Sequence, residues 1–277
     1  MKQQILNTLK SILGTLEYRL RPWNYSPNEL VVLCMHSTPL ERSKQFESLL
    51  DFLFKHFKAL DPAQLGDYFA GKLQSGPYIL FTFDDGLKNN LHAAALLEER
   101  GARAVFFVVP DFVDAANPKE YYLKNIRPKI DARVDHESED FTPISITELI
   151  ALHRRGHCVE SHTKSHLLRR TNSAEEIERE ITGSKEWIQG KLFSNPTMFC
   201  SPIQTNFSVN QLAKQRIDEE FVYHFTTFPG LNGEVLNPRL IMRRNIEVHW
   251  SPGRIKHSLG KVDLARWKGE IERFQQL

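Results

Sequence analysis

The sequence predicts an α/β domain of parallel βα units, wound as a barrel of roughly seven or eight strands, behind an N-terminal amphipathic helix. Two observations predict this. Short continuous apolar runs at residues 30–36, 77–83 and 103–109 have the composition of strands buried on both faces. Helical patterns separate them, as crossovers between parallel strands require. A third observation concerns placement: candidate reactive side chains fall where the apolar runs end, the face on which βα barrels carry their chemistry.

At 277 residues, with 41% hydrophobic and 25% charged residues, the chain has ordinary globular composition and length for one large domain. We divide it into a helix and linker, residues 1–29, and a barrel domain, residues 30–277. The net charge of +2, with no basic run interleaved with aromatics, argues against a nucleic-acid partner. Cys34, Cys158 and Cys200 are widely spaced and odd in number, which suits a reducing compartment better than a disulfide framework. The first residues lack a small-residue cleavage site, so no cleaved signal peptide is expected. No apolar stretch is long enough to span a membrane, and the expected location is cytoplasmic.

Taken in order, Ile5, Leu9, Ile12, Leu13, Leu16 and Leu20 recur at helical spacing among Lys2, Lys10, Arg19 and Arg21. One reading is a helix packed on the domain or across a dimer interface. The other is a foot on the inner face of an anionic membrane, through residues 1–21. Pro22 and Pro27 end the pattern. The apolar run 30–36 closes on His36, and Phe46, Leu49, Leu50, Leu53, Phe54 and Phe57 give a helical stripe. Residues 62–71 read as a short helix with Pro at its start and Gly at its end. The strand over 77–83 leads into Asp84-Asp85-Gly86.

Residues 89–100 form an Ala/Leu/Glu-rich helix closed by Gly101, and 103–109 a strand. Between 110 and 143 the pattern is lost, which predicts an excursion over the active-site side. A helix over 146–155 precedes the strand to His162. Thr171-Asn172-Ser173 cap a helix reaching residue 189. Strands over 196–202, 221–227 and 239–248 and helices over 206–219 and 262–274 complete the chain.

The chemistry concentrates in Thr82-Phe83-Asp84-Asp85-Gly86 and His162-Thr163-Lys164-Ser165-His166. Two imidazoles four residues apart share one face of a helical turn. Together with one carboxylate they suit a divalent ion with a position open to water, the arrangement of catalytic zinc. The second carboxylate is then available as a base.

At these motifs the sequence resembles the polysaccharide deacetylase family, carbohydrate esterase family 4, over about residues 30 to 246. The resemblance implies a distorted, incomplete (β/α)7-type barrel and removal of an N-acyl group from an amino sugar. Carried over by position, it implies Asp84 as catalytic base and Asp85, His162 and His166 as ligands of the ion. Zinc is the expected ion, although nickel, cobalt, manganese and iron suit the same donors.

The sequence departs from the family at two points. The family's late-strand general acid, a His in a Leu-x-His context, is only approximated by Ile246-Glu247-Val248-His249. His36, at the end of the first strand, is favoured over His249 because strand-end position places it on the reactive face. The third motif's Arg-x-Pro-Tyr is replaced by Cys200-Ser201-Pro202-Ile203. The arginine that orients the base is therefore missing, and either Arg244 supplies it or the base is held less firmly. Arg243 and Arg244 as plain solvated charges are the alternative. Cys200 is read as an inert small hydrophobe rather than a nucleophile, and His224 as structural.

The expected function is metal-dependent removal of an acetyl or formyl group from an amino sugar, on a cytoplasmic lipid- or nucleotide-linked precursor of a surface polysaccharide. Two alternatives remain: hydrolysis of another small non-peptide amide on the same fold, and sugar binding with reduced catalysis.

Overall fold

A computed structural model describes residues 2–20, 23–73, 75–126, 141–167, 171–202, 209–233, 236–260 and 267–277. Its strands are β1 (Leu30–Met35), β2 (Lys58–Ala59), β3 (Tyr78–Phe83), β4 (Ala104–Val108), β5 (Cys158–Ser161), β6 (Met198–Cys200), β7 (Tyr223–Phe225) and β8 (Arg244–Asn245). They form one parallel sheet in the order β7-β6-β5-β4-β3-β1-β8, with β2 added to β3. The β1–β3 ladder runs from Leu30↔Tyr78 to Met35↔Phe83. At the other side of the barrel pairing is sparse. Among the described residues, only Leu33↔Arg244 and Cys34↔Asn245 join β8 to β1, and a single bridge joins Phe225 to Ile241. This weak seam makes the (β/α)7-type barrel distorted and incomplete.

Successive strand residues point to opposite faces, and this alternation sorts the core. Val31, Leu33 and Met35 with Ile79, Phe81 and Phe83 pack outward beneath the helices, in one cluster with Ala104, Phe106 and Val108. Leu30, Val32, Tyr78, Leu80, Val105 and Phe107 pack inside the barrel with Met198, Cys200, Phe225 and Ile241. Continuing the inward rows toward the strands' C-terminal ends brings Cys34, Thr82, Asp84 and Arg243 to the barrel mouth.

The helices follow their sequence signals. They are α2 (Ser43–Leu53), α3 (Leu65–Phe69), α4 (Asn90–Glu98), α5 (Pro110–Val113), α6 (Pro118–Tyr121), α7 (Ile146–Arg154), α8 (Ala174–Leu192), α9 (Gln211–Glu220), α10 (Pro252–Leu259) and α11 (Lys268–Gln275), preceded by α1 (Lys2–Leu20). Ser145 and Glu148 form a reciprocal capping box on α7. Ser173 accepts from the Glu176 amide at the start of α8.

Four expectations are compared with the observed elements. The strand over 239–248 shortens to Arg244–Asn245. The helix over 206–219 begins only at Gln211, where the Asn210 side chain caps it, and residues 203–208 lie outside the described set. The excursion over 110–143 contains α5, α6 and a π-helical turn at Tyr122–Ile126, while residues 127–140 lie outside the described set. The last helix runs from Lys268 to Gln275, and residues 261–266 of the expected helix lie outside the described set.

Helix α1 is not packed as its apolar stripe suggests. Its contact with α10 is built on glycines: a Cβ on Gly14 would lie 2.1 Å from the Gly253 carbonyl oxygen, and one on Gly253 would lie 2.2 Å from that of Ser11. Ser11 and Thr15 share this interface, so the small, polar side of α1 faces the domain. Backbones this close leave no room for any side chain. Gly14→Val is therefore expected to lower stability by about 1–3 kcal/mol, read as a fall in Tm, with faster amide exchange confined to α1 and α10.

Candidate active site and metal centre

Asp84 and Asp85 follow β3 directly. Asp85 adopts φ 72° and Gly86 φ 77°, a left-handed pair that turns the chain sharply and sets the two carboxylates in different directions. Glycine is needed at 86, where a Cβ would lie 3.1 Å from Val108 Cγ1. The non-glycine Asp85 holds a conformation that costs about 1 kcal/mol or more. Thr163 and His166 are left-handed too, at φ 63° and 61°. The strained residues thus gather around one site.

Residues 162–166 form an irregular loop, not the helical turn expected from their spacing. The strained φ angles bring the rings together instead, with centroids 5.1 Å apart. Glu180 of α8 anchors this loop: its carboxylate accepts from the Ser165 amide at 2.9 Å and the Ser165 hydroxyl at 2.7 Å. The Lys164 amide donates to the Glu180 carbonyl, and the Asp111 amide to the Lys164 carbonyl. The sequence reading missed Glu180, because a buried acid on an amphipathic helix carries no motif.

One ligand atom from each of Asp85, His162 and His166 lies within 4.8 Å of the others. His162 Nδ1 lies 2.9 Å from the Cys200 carbonyl and His166 Nδ1 3.4 Å from that of Asn125. A carbonyl can only accept, so each Nδ1 carries the proton and each Nε2 presents a lone pair. Those Nε2 atoms lie 3.7 and 3.4 Å from Asp85 Oδ1. Burial pushes His162 down to about 4 and His166 well below the usual imidazole value, so both rings are neutral. Two lone pairs and a buried carboxylate facing one another repel unless a cation lies between them. The donor set fits a divalent ion.

Asp84 is held differently. Arg243 Nη1 donates to Oδ1 at 2.7 Å and Nη2 to Oδ2 at 2.9 Å, while its Nε donates to the Thr226 carbonyl at 2.9 Å. Burial by itself would raise the Asp84 carboxyl, but the charge and hydrogen bonds of Arg243 hold it well below the usual carboxylate range. Asp84 Oδ2 also lies 3.9 Å from His162 Nε2, so this carboxylate adjoins the Asp85-His162-His166 donor set.

Arg243, not Arg244, meets Asp84. The two point to opposite faces. Arg243 shares the inward row with Ile241, and Arg244 turns outward to the carbonyls of Gly230 and Ser258 at 3.0 Å. Neither is a solvated charge, since each is only 2% exposed. The alternation rule could have picked Arg243 had the strand's inward residues been known.

His36 and His249 separate clearly. His36 shares a 4.8 Å cluster with Cys34 and Asp84, and its Nδ1 lies 3.3 Å from Glu247 Oε1. Burial pulls this imidazole down, but Glu247 and the nearby aspartates outweigh it and raise it to about 9. His249 is exposed on the turn beyond. Glu247, part of the approximate late motif, thus reaches the site in place of His249.

Cys34 Sγ lies 3.5 Å from Asp84 Oδ2, and Cys200 Sγ 3.9 and 4.0 Å from the two Asp84 oxygens. Burial pushes both thiols well above their ordinary value, so neither is a thiolate nucleophile. His224, pushed down to about 3 by burial, shares a hydrogen bond with the Ser201 hydroxyl at 2.7 Å and packs between Phe199 and Phe274.

Fold and site together define a parallel-barrel hydrolase with an Asp-His-His donor set and an adjoining carboxylate. The sequence model of the polysaccharide deacetylase family matches residues 72–216, more than half of the chain. The chain belongs to that family, whose members hydrolyse C–N bonds other than peptide bonds. No curated protein matches it by sequence. Among solved structures it is similar to the Streptococcus pyogenes deacetylase PplD in complex with acetate, at 15% identity and TM-score 0.63, covering 84% of this chain and 99% of that one. A de-N-acetylase from Aggregatibacter actinomycetemcomitans also gives 15% and 0.63, over 83% and 100%. The deacetylase domain of BpsB from Bordetella bronchiseptica gives 18% and 0.63, over 82% and 98%. These likenesses establish the shared fold.

Removing Arg243 would strand a buried charge. Arg243→Ala is expected to destabilise the protein by about 3–5 kcal/mol, measured by urea unfolding. Because the folded-state carboxyl lies low, the pair's stabilisation is present above the ordinary carboxylate value and is lost as pH falls below it. The variant's deficit should therefore shrink below about pH 4.

Proposed function

We propose that this chain removes an N-acyl group, acetyl or formyl, from an amino sugar. The carrying observation is the division of labour between neighbouring carboxylates: Asp85 faces two neutral imidazoles, while Asp84 is tied to Arg243 beside them. A divalent cation held by Asp85, His162 and His166 would supply an acidified water and polarise the acyl carbonyl. Asp84 accepts the water's proton, and Arg243 keeps its carboxylate ionised and fixed in orientation. His36, kept protonated by Glu247, donates to the departing amine nitrogen. The freed acid and a free amino group are the products.

We take zinc as the ion, since imidazole and carboxylate donors with an open position match its catalytic sites. The substrate is a cytoplasmic precursor carried on a lipid or nucleotide. The unpaired thiols of Cys34, Cys158 and Cys200 support a reducing compartment.

Asp84→Asn is expected to lower kcat by about 10²–10⁴, measured as acetate or formate release from N-acyl sugar precursors, with metal content unchanged by elemental analysis. Chelation should abolish release and zinc restore it. Failure on every N-acyl sugar, with turnover of a small cyclic amide, would overturn the substrate assignment. An acid must stay protonated, so activity should fall as pH rises through about 9. Glu247→Gln removes the charge that raises His36 and should move that limb toward lower pH, whereas His249→Ala should leave it in place.

A further inference from the structure

Among the described residues nothing covers the apolar side of α1. Ile5, Leu9, Ile12, Leu13, Leu16 and Leu20 are 47 to 72% exposed. At 100° per residue they occupy about 100° of the helix surface, opposite the Ser11, Gly14 and Thr15 side that meets α10. The glycine contact fixes which way this stripe points: rotating it inward would drive leucines against the backbone of Gly253.

The surrounding charge is positive. Lys10 and Arg19 border the stripe on its two sides. Arg254 and Lys256 lie on the adjoining α10, where Lys256 Nζ sits 4.5 Å from the Tyr18 ring centre. The acid of this pair of helices, Glu17, is 3.6 Å from His257. A two-fold contact between copies would lay this basic surface on itself. A layer of anionic lipid headgroups complements it, with room for the leucines among the acyl chains. Among the described residues no helix is long and apolar enough to cross a membrane, so the helix would lie on the surface.

We propose that α1 is a peripheral docking surface for an anionic membrane, held with its apolar face outward by the Gly14–Gly253 contact. Its position relates to the barrel mouth. Ser11 meets Ser251, Gly14 meets Gly253 and Tyr18 meets Lys256, so α1 and α10 run in the same direction. α10 begins just beyond Glu247, which contacts His36. The residues of α1 before Ser11 therefore project past α10 on the catalytic side, by about 1.5 Å each. Docking there brings the barrel mouth toward the bilayer, where a lipid-carried substrate would present its sugar.

The test is flotation of the full chain with vesicles of equimolar phosphatidylcholine and phosphatidylglycerol, against pure phosphatidylcholine. Binding to the anionic vesicles is expected, at least about tenfold tighter than to the neutral ones. Ile12→Glu with Leu16→Glu should abolish it without changing Tm, since both side chains already face solvent. Lys10→Glu with Arg19→Glu should weaken it about tenfold or more. No flotation with either vesicle would overturn the proposal. So would a dimer in sedimentation equilibrium that those apolar substitutions dissociate, without vesicle binding. The assay reads binding alone, so its failure leaves the deacetylase reading intact, and loss of activity leaves the docking intact.

Discussion

The site depends on the buried ion pair between Asp84 and Arg243. A carboxylate at 2% exposure, close to a second carboxylate, would by its own energetics take up a proton. The guanidinium prevents this through two parallel hydrogen bonds, and its Nε contact with the Thr226 carbonyl ties the pair to the segment after β7. One interaction therefore ionises Asp84, orients it and fastens the sparse seam between β7 and β8 to β3. With Asp84 committed in this way, Asp85 faces the imidazoles.

The motif change at Cys200 makes sense in these terms. Strand β6 brings no arginine to Asp84, and Cys200 and Cys34 line its carboxylate with neutral thiols instead. The positive charge comes from the inward row before β8. The barrel mouth is a ring, so a charge can be supplied from another strand and still reach the same point. What matters is the bidentate geometry at Asp84, not the strand that carries it.

Backbone strain at Asp85, Thr163 and His166 belongs to the same construction. Each left-handed residue opposes folding slightly, and the loops are held against that tendency by Glu180, Asp111 and the close packing of Gly86 on Val108. Rigid anchoring of this kind keeps two lone pairs and a carboxylate pointed at one place despite their mutual repulsion.

The alternating apolar runs and helical stripes determined the parallel barrel, because burial on both faces leaves a composition that few other arrangements share. The Asp-Asp and His-x-x-x-His motifs pointed to Asp84, Asp85, His162 and His166, and the end of the first apolar run pointed to His36. Three features were decided only by the tertiary structure. The choice of Arg243 over Arg244 depends on which side chains face inward at and just before a two-residue strand, and a strand so short leaves little periodic signal. The role of Glu247 and the anchoring by Glu180 join residues far apart in sequence, where spacing carries no information. The outward direction of the α1 stripe follows from a glycine contact with a helix more than two hundred residues away. An amphipathic pattern specifies that two faces exist, and only the packing partner decides which of them meets the solvent.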